Sequence, residues 1–292
     1  MSIPFPLAGF LSAEHAFLPL PPKSLLLGRQ TIPIEWSDIE ALAARWALPL
    51  PAFERDMVAI YARQNPERHW PTDTAFFAML GVETIHAIDQ MADEGADWRL
   101  DNCDMIPPEL QGRWGLILNG SVLDNVFDTA AIMRNIDTLR APGGRVVHSE
   151  TATANAFSLS GLSRSWFFDF SLYNDYEDVK LYMGSARDWP GLIHGPWSML
   201  GFDPASAARP NAFSLGLGRE LGMLVAFAEK RACAFQARMP IQSHYRAEQD
   251  WMCCEPTLTR FRTSKRPNHM GAHGAWDYID AFAGAWRGCG HW

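Results

Sequence analysis

The stretch that decides the fold is GLILNGSVLDNVFDTAAIMRNIDTLRAPGGRVVHSE, residues 115–150. Residues 115–120 are apolar and end in Asn-Gly, which predicts a buried parallel strand. Asp128 follows as the N-cap of a helix with one apolar face, and Ala-Pro-Gly-Gly at 141–144 stops that helix. Residues 145–149 enter the next strand directly. A strand, a helix and a strand in this order form the unit of a parallel sheet covered by helices.

The same alternation extends in both directions along the chain. Helical spacing of apolar residues predicts helices at Asp38–Trp46 and Phe53–Ala62, and a third from Thr72 to Gly81. The predicted strands are Ser24–Gly28, Glu83–Asp89, Asp97–Asp101, Gly115–Gly120, Arg145–Ser149, Val179–Met183 and Leu221–Lys230. The pattern therefore predicts an α/β protein with a Rossmann-like, doubly wound and mostly parallel seven-stranded sheet.

Length and composition limit the organisation of the chain. At 292 residues and 48% hydrophobic composition, one large domain with appended elements is expected. We predict an α/β domain at 1–235, with a helical insertion at about 35–80. A C-terminal extension at 236–292 follows, with a short helix around Trp276–Trp286, and we expect it to form part of an acceptor site or a dimer contact.

Charge and cysteine usage exclude some functions. The net charge of −8 argues against a nucleic-acid or anionic-membrane binder, because phosphates need a concentrated basic face. Five cysteines without a CxxC pair favour reduced thiols in the cytoplasm. Residues 1–23 are apolar, but prolines interrupt them and no basic segment precedes them, so they make a poor signal peptide. No apolar run is long enough to cross a bilayer.

Several polar or glycine residues end or follow the predicted strands. Ligands bind to open α/β sheets at the carboxyl ends of the strands, near the point where the strand order reverses. That rule places Gly28, Asp89, Asp101 and Asn119 beside one another. The sequence thus predicts a ligand site at this edge.

The order of motifs resembles a bacterial group of class I S-adenosylmethionine (SAM)-dependent methyltransferases. The resemblance covers about Lys23 to Asp178, and its last strand-helix-PGG-strand unit is the most specific part. The motifs are LLLGRQ (25–30), LGVETIHAID (80–89), EGADWRLDNCDMIPPEL (94–110), GLILNGSVLDNVFD (115–128), NIDTLRAPGGRVVHSE (135–150) and the following NAFSLSGLSRSWFFDF segment.

This resemblance implies SAM as the cofactor. It places Gly28 against the methionine part, where only a residue without a side chain fits. It places Asp89 on the ribose hydroxyls, as a carboxylate that accepts two hydroxyl protons, and Asp101 near the adenine. The other residues that it places at the cofactor are Arg29, Gln30, Asn102, Asn119 and Gly120.

Three side chains near the fourth and fifth strands are candidates for acid-base work. His148 ends the fifth strand and has an ordinary pKa near physiological pH, so it is the first candidate for a general base. Glu150 and Asp124 are weaker candidates for the same task. Each of the three has a structural alternative, as a histidine bonded to a neighbouring strand or as a capping carboxylate.

The interpretation is a methyltransferase that acts on a small polar or sugar-like acceptor, with a homodimer possible. Tryptophans after residue 188 would suit such an acceptor by stacking, or would close a small core. Two alternatives stay open. One is another use of SAM, such as aminocarboxypropyl transfer or cyclisation. The other is a silent binding protein, since Asp124-Asn125 stands where relatives commonly carry Glu-His.

His269 and His273 lack an acidic third ligand, so no metal site is predicted.

Overall fold

The computed structural model describes residues 2–50, 70–91, 95–152, 158–195, 197–201, 221–230, 238–240 and 248–263. The helices of this part are α1 (Phe5–Phe17), α2 (Trp36–Trp46), α3 (Asp73–Met79), α4 (Thr129–Leu139), α5 (Arg164–Tyr173), α6 (Trp189–His194) and α7 (Glu248–Thr263). The strands are β1 (Lys23–Leu27), β2 (Thr84–Asp89), β3 (Trp98–Arg99), β4 (Trp114–Gly120), β5 (Arg140–Thr151), β6 (Tyr176–Ala186), β7 (Ser198–Gly201) and β8 (Leu221–Lys230).

These strands form one sheet in the order β3-β2-β1-β4-β5-β8-β6-β7. The pairs from β3 through β5 are all parallel. Strand β8 lies between β5 and β6 and is antiparallel to both, and β7 is antiparallel to β6. The first five strands have the order of a doubly wound Rossmann-like sheet, so the predicted fold class is confirmed.

The predicted number of seven strands was wrong, because the described part of the chain contains an eighth, β7. It has four residues and pairs only with β6 among the described strands, at the edge of the sheet. Strands this short carry too few alternating positions to stand out in a sequence. The Pro-Gly-Gly sequence also behaves differently from the prediction, since β5 already begins at Arg140 and a register shift of β4 against β5 accommodates residues 141–144.

Alternation along the strands divides the apolar core into two layers, one on each face of the sheet. The first layer contains Leu26, Leu118 and Val147 and is covered by α1, α2 and α3. The second contains Leu25, Ile117 and Val146 and is covered by α4, α5 and α7. Both faces of the parallel strands are thus buried, as their nearly continuous apolar sequences require.

Helix α1 is buried on almost every side, with Leu7, Phe10 and Leu11 at most 2% exposed. Helix α7, in the predicted C-terminal extension, contributes Cys254, Leu258 and Phe261 to the second core layer. None of the helices in the described ranges combines the length and the apolar character needed to span a membrane. The helices predicted at 53–62 and 276–286 lie outside the described residues, and the domain boundary at residue 235 stays a prediction.

Candidate cofactor and active site

The strand order reverses between β1 and β4, so a crevice is expected at their carboxyl ends. The residue that follows β1 is Gly28, with a φ of 75°. Glycine adopts this left-handed conformation without the steric penalty of a side chain. The Gly28 amide donates to the Ile88 carbonyl at 2.7 Å, which ties the turn to the end of β2. The main chain at the point where the strand order reverses therefore has no side chain at residue 28.

Asp89 is the last residue of β2 and is only 7% exposed. Its Oδ1 accepts from the Met91 amide at 2.9 Å, which fixes the carboxylate. Its Oδ2 is buried and has no hydrogen-bond partner among the described residues. A buried acceptor without a donor costs about 1–3 kcal/mol, and more when it is charged. A ligand hydroxyl at this position would supply the missing donor.

Gln30 is buried against the end of β4, with a side chain held by its own loop. Its Nε2 donates to the Gly28 carbonyl at 2.9 Å. Its Oε1 is buried without a partner among the described residues. This oxygen lies so close to Gly120 that a Cβ at that glycine would collide with it. Gln30 thus presents an unused acceptor beside Gly120, and any larger residue at position 120 would displace the Gln30 side chain.

Asp73 is a site residue that the sequence reasoning missed. It opens α3, and its Oδ2 accepts from the Gln30 backbone amide at 3.1 Å. Its Oδ1 accepts from Arg29 Nη1 at 3.4 Å. The Arg29 guanidinium also reaches the Gly95 carbonyl and Asp97 Oδ2. The only sequence signal was an acid after the N-cap Thr72, which is too common to single out.

The turn after β3 holds Asp101 and Asn102, the residues predicted near the adenine. Asp101 Oδ1 accepts from the Cys103 amide at 2.8 Å, and this hydrogen bond lowers the pKa of the carboxyl. The Asn102 carbonyl accepts from Asn135 Nδ2 at 2.7 Å, and Cys103 Sγ donates to the Asp128 carbonyl at 3.8 Å. The turn is therefore held against α4, at its N-cap Asp128 and at Asn135 in the middle of the helix.

Asn119 and the predicted catalytic residues form one buried polar group at the ends of β4 and β5. The two hydrogens of Asn119 Nδ2 go to His148 Nδ1 at 3.0 Å and to Glu150 Oε1 at 2.5 Å. Asn119 Oδ1 accepts from the Val122 amide at 3.2 Å. This pattern puts the proton of a neutral His148 on Nε2. The imidazole also contacts the Phe167 ring, with centroids 4.9 Å apart.

Glu150 and Asp124 hold the chain that leaves β4 against the end of β5. Glu150 accepts from the backbone amides of Leu123 at 3.3 Å and Asp124 at 3.1 Å. Asp124 Oδ2 in return accepts from the Thr151 amide at 3.1 Å. The Asp124 carboxylate also accepts from Ser121 Oγ at 2.9 Å, and Ser121 has a φ of 66°. These reciprocal bonds keep a left-handed serine in place.

Burial shifts the pKa values of this group in opposite directions. It lowers the pKa of His148 to about 3, because the protonated ring would be cut off from water. It raises the pKa of Glu150 well above the usual range, and the neighbouring Asp124 charge raises it further. Backbone hydrogen bonds to Glu150 oppose this rise. Over the neutral pH range His148 is therefore uncharged, and Glu150 has an increased affinity for a proton.

The structure thus brings the predicted residues together in two groups. Gly28, Arg29, Gln30, Gly120 and Asp89 surround the ends of β1, β2 and β4, whereas Asn119, His148, Glu150 and Asp124 make the buried polar group described above. Asp101 and Asn102 lie in the turn after β3. None of these residues has its predicted role tested by the structure, so each role stays a prediction.

Exposed apolar side chains border the same edge of the sheet. Met91 follows β2 and is 56% exposed, and Met105, in the segment after β3, is 89% exposed. Phe127, just before α4, is 94% exposed. The tryptophans after residue 188 had two interpretations, stacking on an acceptor or closing a core, and Trp197 packs in the core and donates to the Leu192 carbonyl. A planar apolar ligand would find partners at Met91 and Met105.

Within the described ranges, no three His, Cys, Asp or Glu side chains are grouped as they would be around a metal ion. His269 and His273 lie outside those ranges.

No protein-family model matches the sequence, and no curated protein matches it either. Several solved structures are similar in fold. One is the Burkholderia thailandensis 1,6-didemethyltoxoflavin-N1-methyltransferase with S-adenosylhomocysteine bound, at 15% identity and a TM-score of 0.37, covering 77% of this chain and 78% of that one. Another is an O-methyltransferase of a Brevibacillus brevis polyketide synthase, also with S-adenosylhomocysteine, at 11% identity and a TM-score of 0.40, covering 95% and 82%.

A third is a possible histamine N-methyltransferase from Thermotoga maritima, at 10% identity and a TM-score of 0.36, covering 78% of this chain and 91% of that one. All three are methyltransferases, the class of enzyme that the motifs of this sequence resemble.

Proposed function

We propose that this protein is a SAM-dependent methyltransferase that acts on a small polar or sugar-like acceptor. The observation that carries the proposal is the unused Asp89 Oδ2 at the end of β2, beside the left-handed Gly28 turn. A carboxylate in this place binds the two hydroxyls of a ribose with charge-assisted hydrogen bonds. SAM has such a ribose, and the sequence motifs independently resemble SAM-binding enzymes.

The residues around Asp89 fit the rest of the nucleoside. Met91 and Met105 offer apolar contact surface on the side of β2 and β3. Methionine side chains make favourable contacts with aromatic rings, and an adenine has the same planar shape. Asp101 and Asn102 lie in the turn on that side, as expected for neighbours of the base.

When bound, SAM supplies an electrophilic methyl group on a sulfonium. Displacement at that methyl needs an aligned nucleophile and a site that excludes water, so positioning contributes most of the rate. The Gly28 turn allows the main chain to approach closely, and the Glu150–Asp124 bonds hold the adjoining turn. These residues bind and orient, and they carry no covalent step.

A general base is needed only for an acceptor that must lose a proton. Burial raises the pKa of Glu150, so its carboxylate, when ionised, has an increased affinity for the proton of an acceptor. His148 binds a proton only near pH 3 and has Nδ1 occupied by Asn119, so we propose a positioning role for it. Asp124 accepts bonds from Ser121, Asn125 and the Thr151 amide and completes the group.

The test is calorimetric titration with S-adenosylhomocysteine of the wild type, Asp89→Asn and a control variant, Glu83→Gln. Asparagine keeps the bond to the Met91 amide and removes the charge from the ligand side. Hydrogen bonds to a charged group contribute about 1.5–3 kcal/mol, so we expect Asp89→Asn to weaken binding by roughly tenfold to a hundredfold. Glu83 is exposed at the opposite end of β2, and Glu83→Gln should bind as the wild type does.

Incubation with SAM and candidate acceptors then identifies the reaction. S-adenosylhomocysteine as product supports methyl transfer, whereas methylthioadenosine indicates transfer of the aminocarboxypropyl group or cyclisation. A wild type that binds neither SAM nor S-adenosylhomocysteine would refute the proposal and favour a binding protein without catalysis.

A further inference from the structure

Helix α4 presents an exposed stripe to the solvent. Ala130, Arg134 and Thr138 are four residues apart and so share one side of the helix, and the last two are exposed. Phe127 precedes the N-cap Asp128 at the N-terminal end of this stripe and is 94% exposed. A phenylalanine can bury about 150–250 Å², so this ring leaves a large apolar surface uncovered.

The turn after β3 lies beside this stripe. The carbonyls of Asn102 and Asp104 accept from Asn135 Nδ2 at 2.7 and 2.6 Å, which places the turn at the level of Asn135 along the helix. Asp104 is exposed, and the following residue, Met105, is 89% exposed. We call the exposed residues of the stripe and the turn the α4 surface, which consists of Asp104, Met105, Phe127, Arg134 and Thr138.

Two opposite charges on the α4 surface are unpaired within the described ranges. Neither the Arg134 guanidinium nor the Asp104 carboxylate has an ion-pair partner there. Arg134 precedes Asn135 in the helix, and Asp104 is hydrogen-bonded to Asn135, so both charged residues lie at the same level along α4. The surface therefore carries a positive and a negative group side by side, each able to bind an opposite charge from outside the chain.

This arrangement of charges favours a second copy of the chain as the occupant. In a two-fold interface, residue i of one copy contacts residue j of the other, and j contacts i. A two-fold axis between Arg134 and Asp104 would therefore form two ion pairs from one surface. Nucleic acids and anionic membranes need a concentrated basic surface instead, whereas Asp104 and Asp128 lie on or beside this one and the net charge is −8.

We propose that the α4 surface is the contact between two copies of this chain in a symmetric dimer. Phe127 and Met105 supply the apolar part of the contact, since nearly fully exposed apolar side chains that cluster on a surface mark interaction sites. Arg134 and Asp104 of each copy pair with Asp104 and Arg134 of the other and fix the register of the two copies. Self-association at this surface is independent of the proposed reaction.

The experiment measures the mass of the full chain in solution by sedimentation equilibrium over a series of protein concentrations. The variants are Arg134→Glu, Asp104→Arg, the double variant with both changes, and Phe127→Ser. The matched control is Arg187→Glu, because Arg187 is an exposed arginine that follows β6 on the other half of the sheet. All the changed side chains are exposed, and thermal unfolding shows that each variant is folded. Met105 is left unchanged, because the proposed function places it at the cofactor.

We expect the wild type and Arg187→Glu to form dimers with the same dissociation constant. Each single charge reversal removes two exposed ion pairs and creates two repulsions, so it should weaken the dimer by about thirtyfold or more. The double variant exchanges the charges of Arg134 and Asp104 and should regain most of this loss. Phe127→Ser should weaken the dimer by about tenfold or more, as the loss of an aromatic anchor does.

Three results would overturn the inference. In the first, the wild type has the mass of one chain at every concentration. In the second, the wild type is a dimer that neither the charge reversals nor Phe127→Ser weaken, which would place the contact elsewhere on the chain. In the third, the double variant is weakened by the product of the two single effects, which would mean that Arg134 and Asp104 do not pair across the contact.

Discussion

Replacing His148 by glutamine should change how the stability of the protein depends on pH. In the unfolded chain the imidazole takes a proton near its usual pKa of 6.5, whereas in the folded chain burial delays protonation to about pH 3. The folded pKa is depressed, so the unfolded state binds more protons between these values. Stability is therefore lost as the pH falls from about 6.5 towards 3.

The size of the loss follows from the shift. Each pH unit in this window costs about 1.4 kcal/mol, so lowering the pH from 7 to 5 removes about 2 kcal/mol through His148 alone. Glutamine retains an acceptor for Asn119 Nδ2 and does not titrate. Its loss of the Phe167 contact lowers the stability equally at both pH values.

The assay is urea unfolding of the wild type and His148→Gln at pH 7 and pH 5. Other titrating groups occur in both proteins and cancel in the double difference. We expect the wild type to lose about 2 kcal/mol more than the variant between the two pH values. The same loss in both proteins would mean that the imidazole reaches water in the folded state, and the description of the buried polar group would then be wrong.

Two further substitutions test the neighbourhood of the site. Glu150→Gln should change the pH dependence of the unfolding free energy in the opposite direction, because the raised pKa of the folded carboxyl stabilises the protein at low pH and this stability is lost as the pH rises. In the same urea series, the wild type should lose more stability than the variant when the pH is raised above 5. Parallel curves for the two proteins would contradict the burial of this carboxyl. Gly144→Ala should destabilise the protein by about 1–3 kcal/mol, because the new Cβ would collide with the Ala141 and Trp114 carbonyl oxygens. Gly143→Ala has open space for its Cβ but a φ of 73°, so it should destabilise the protein by about 1–2 kcal/mol. Thermal unfolding that ranks Gly143→Ala as the less stable variant would refute the steric argument.

The sequence was sufficient to predict the parallel sheet, because strands buried on both faces leave continuous apolar runs between helices with visible caps. It did not reveal α1, which is apolar on nearly every side and so lacks the one-sided spacing of a surface helix. The sequence did not reveal α7 either, because this helix contains Pro256 and proline disfavours the interior of a helix.

The positions of the candidate site residues could be predicted more readily than their partners. Asp89 and Gly28 end adjacent strands, and the rule for ligand sites in α/β sheets locates them. Whether Asn119 faces a ligand or the core depends on which sheet face α4 and α5 cover, and that depends on the whole topology. The contact of Asp73 with Gln30 joins residues 43 positions apart, and no local pattern contains it.

The place of β8 has a consequence for how the chain folds. Its residues are the last of the eight strands along the chain, but they lie between β5 and β6. Until residue 230 has left the ribosome, the edge of β5 that β8 will cover is open, and the β6–β7 pair has no hydrogen-bonded neighbour among the other described strands. Unpaired strand edges invite association with other chains. Fragments that end before Leu221 would therefore behave as two separate pieces of sheet, and addition of a peptide with the sequence of residues 221–230 is the means to join them.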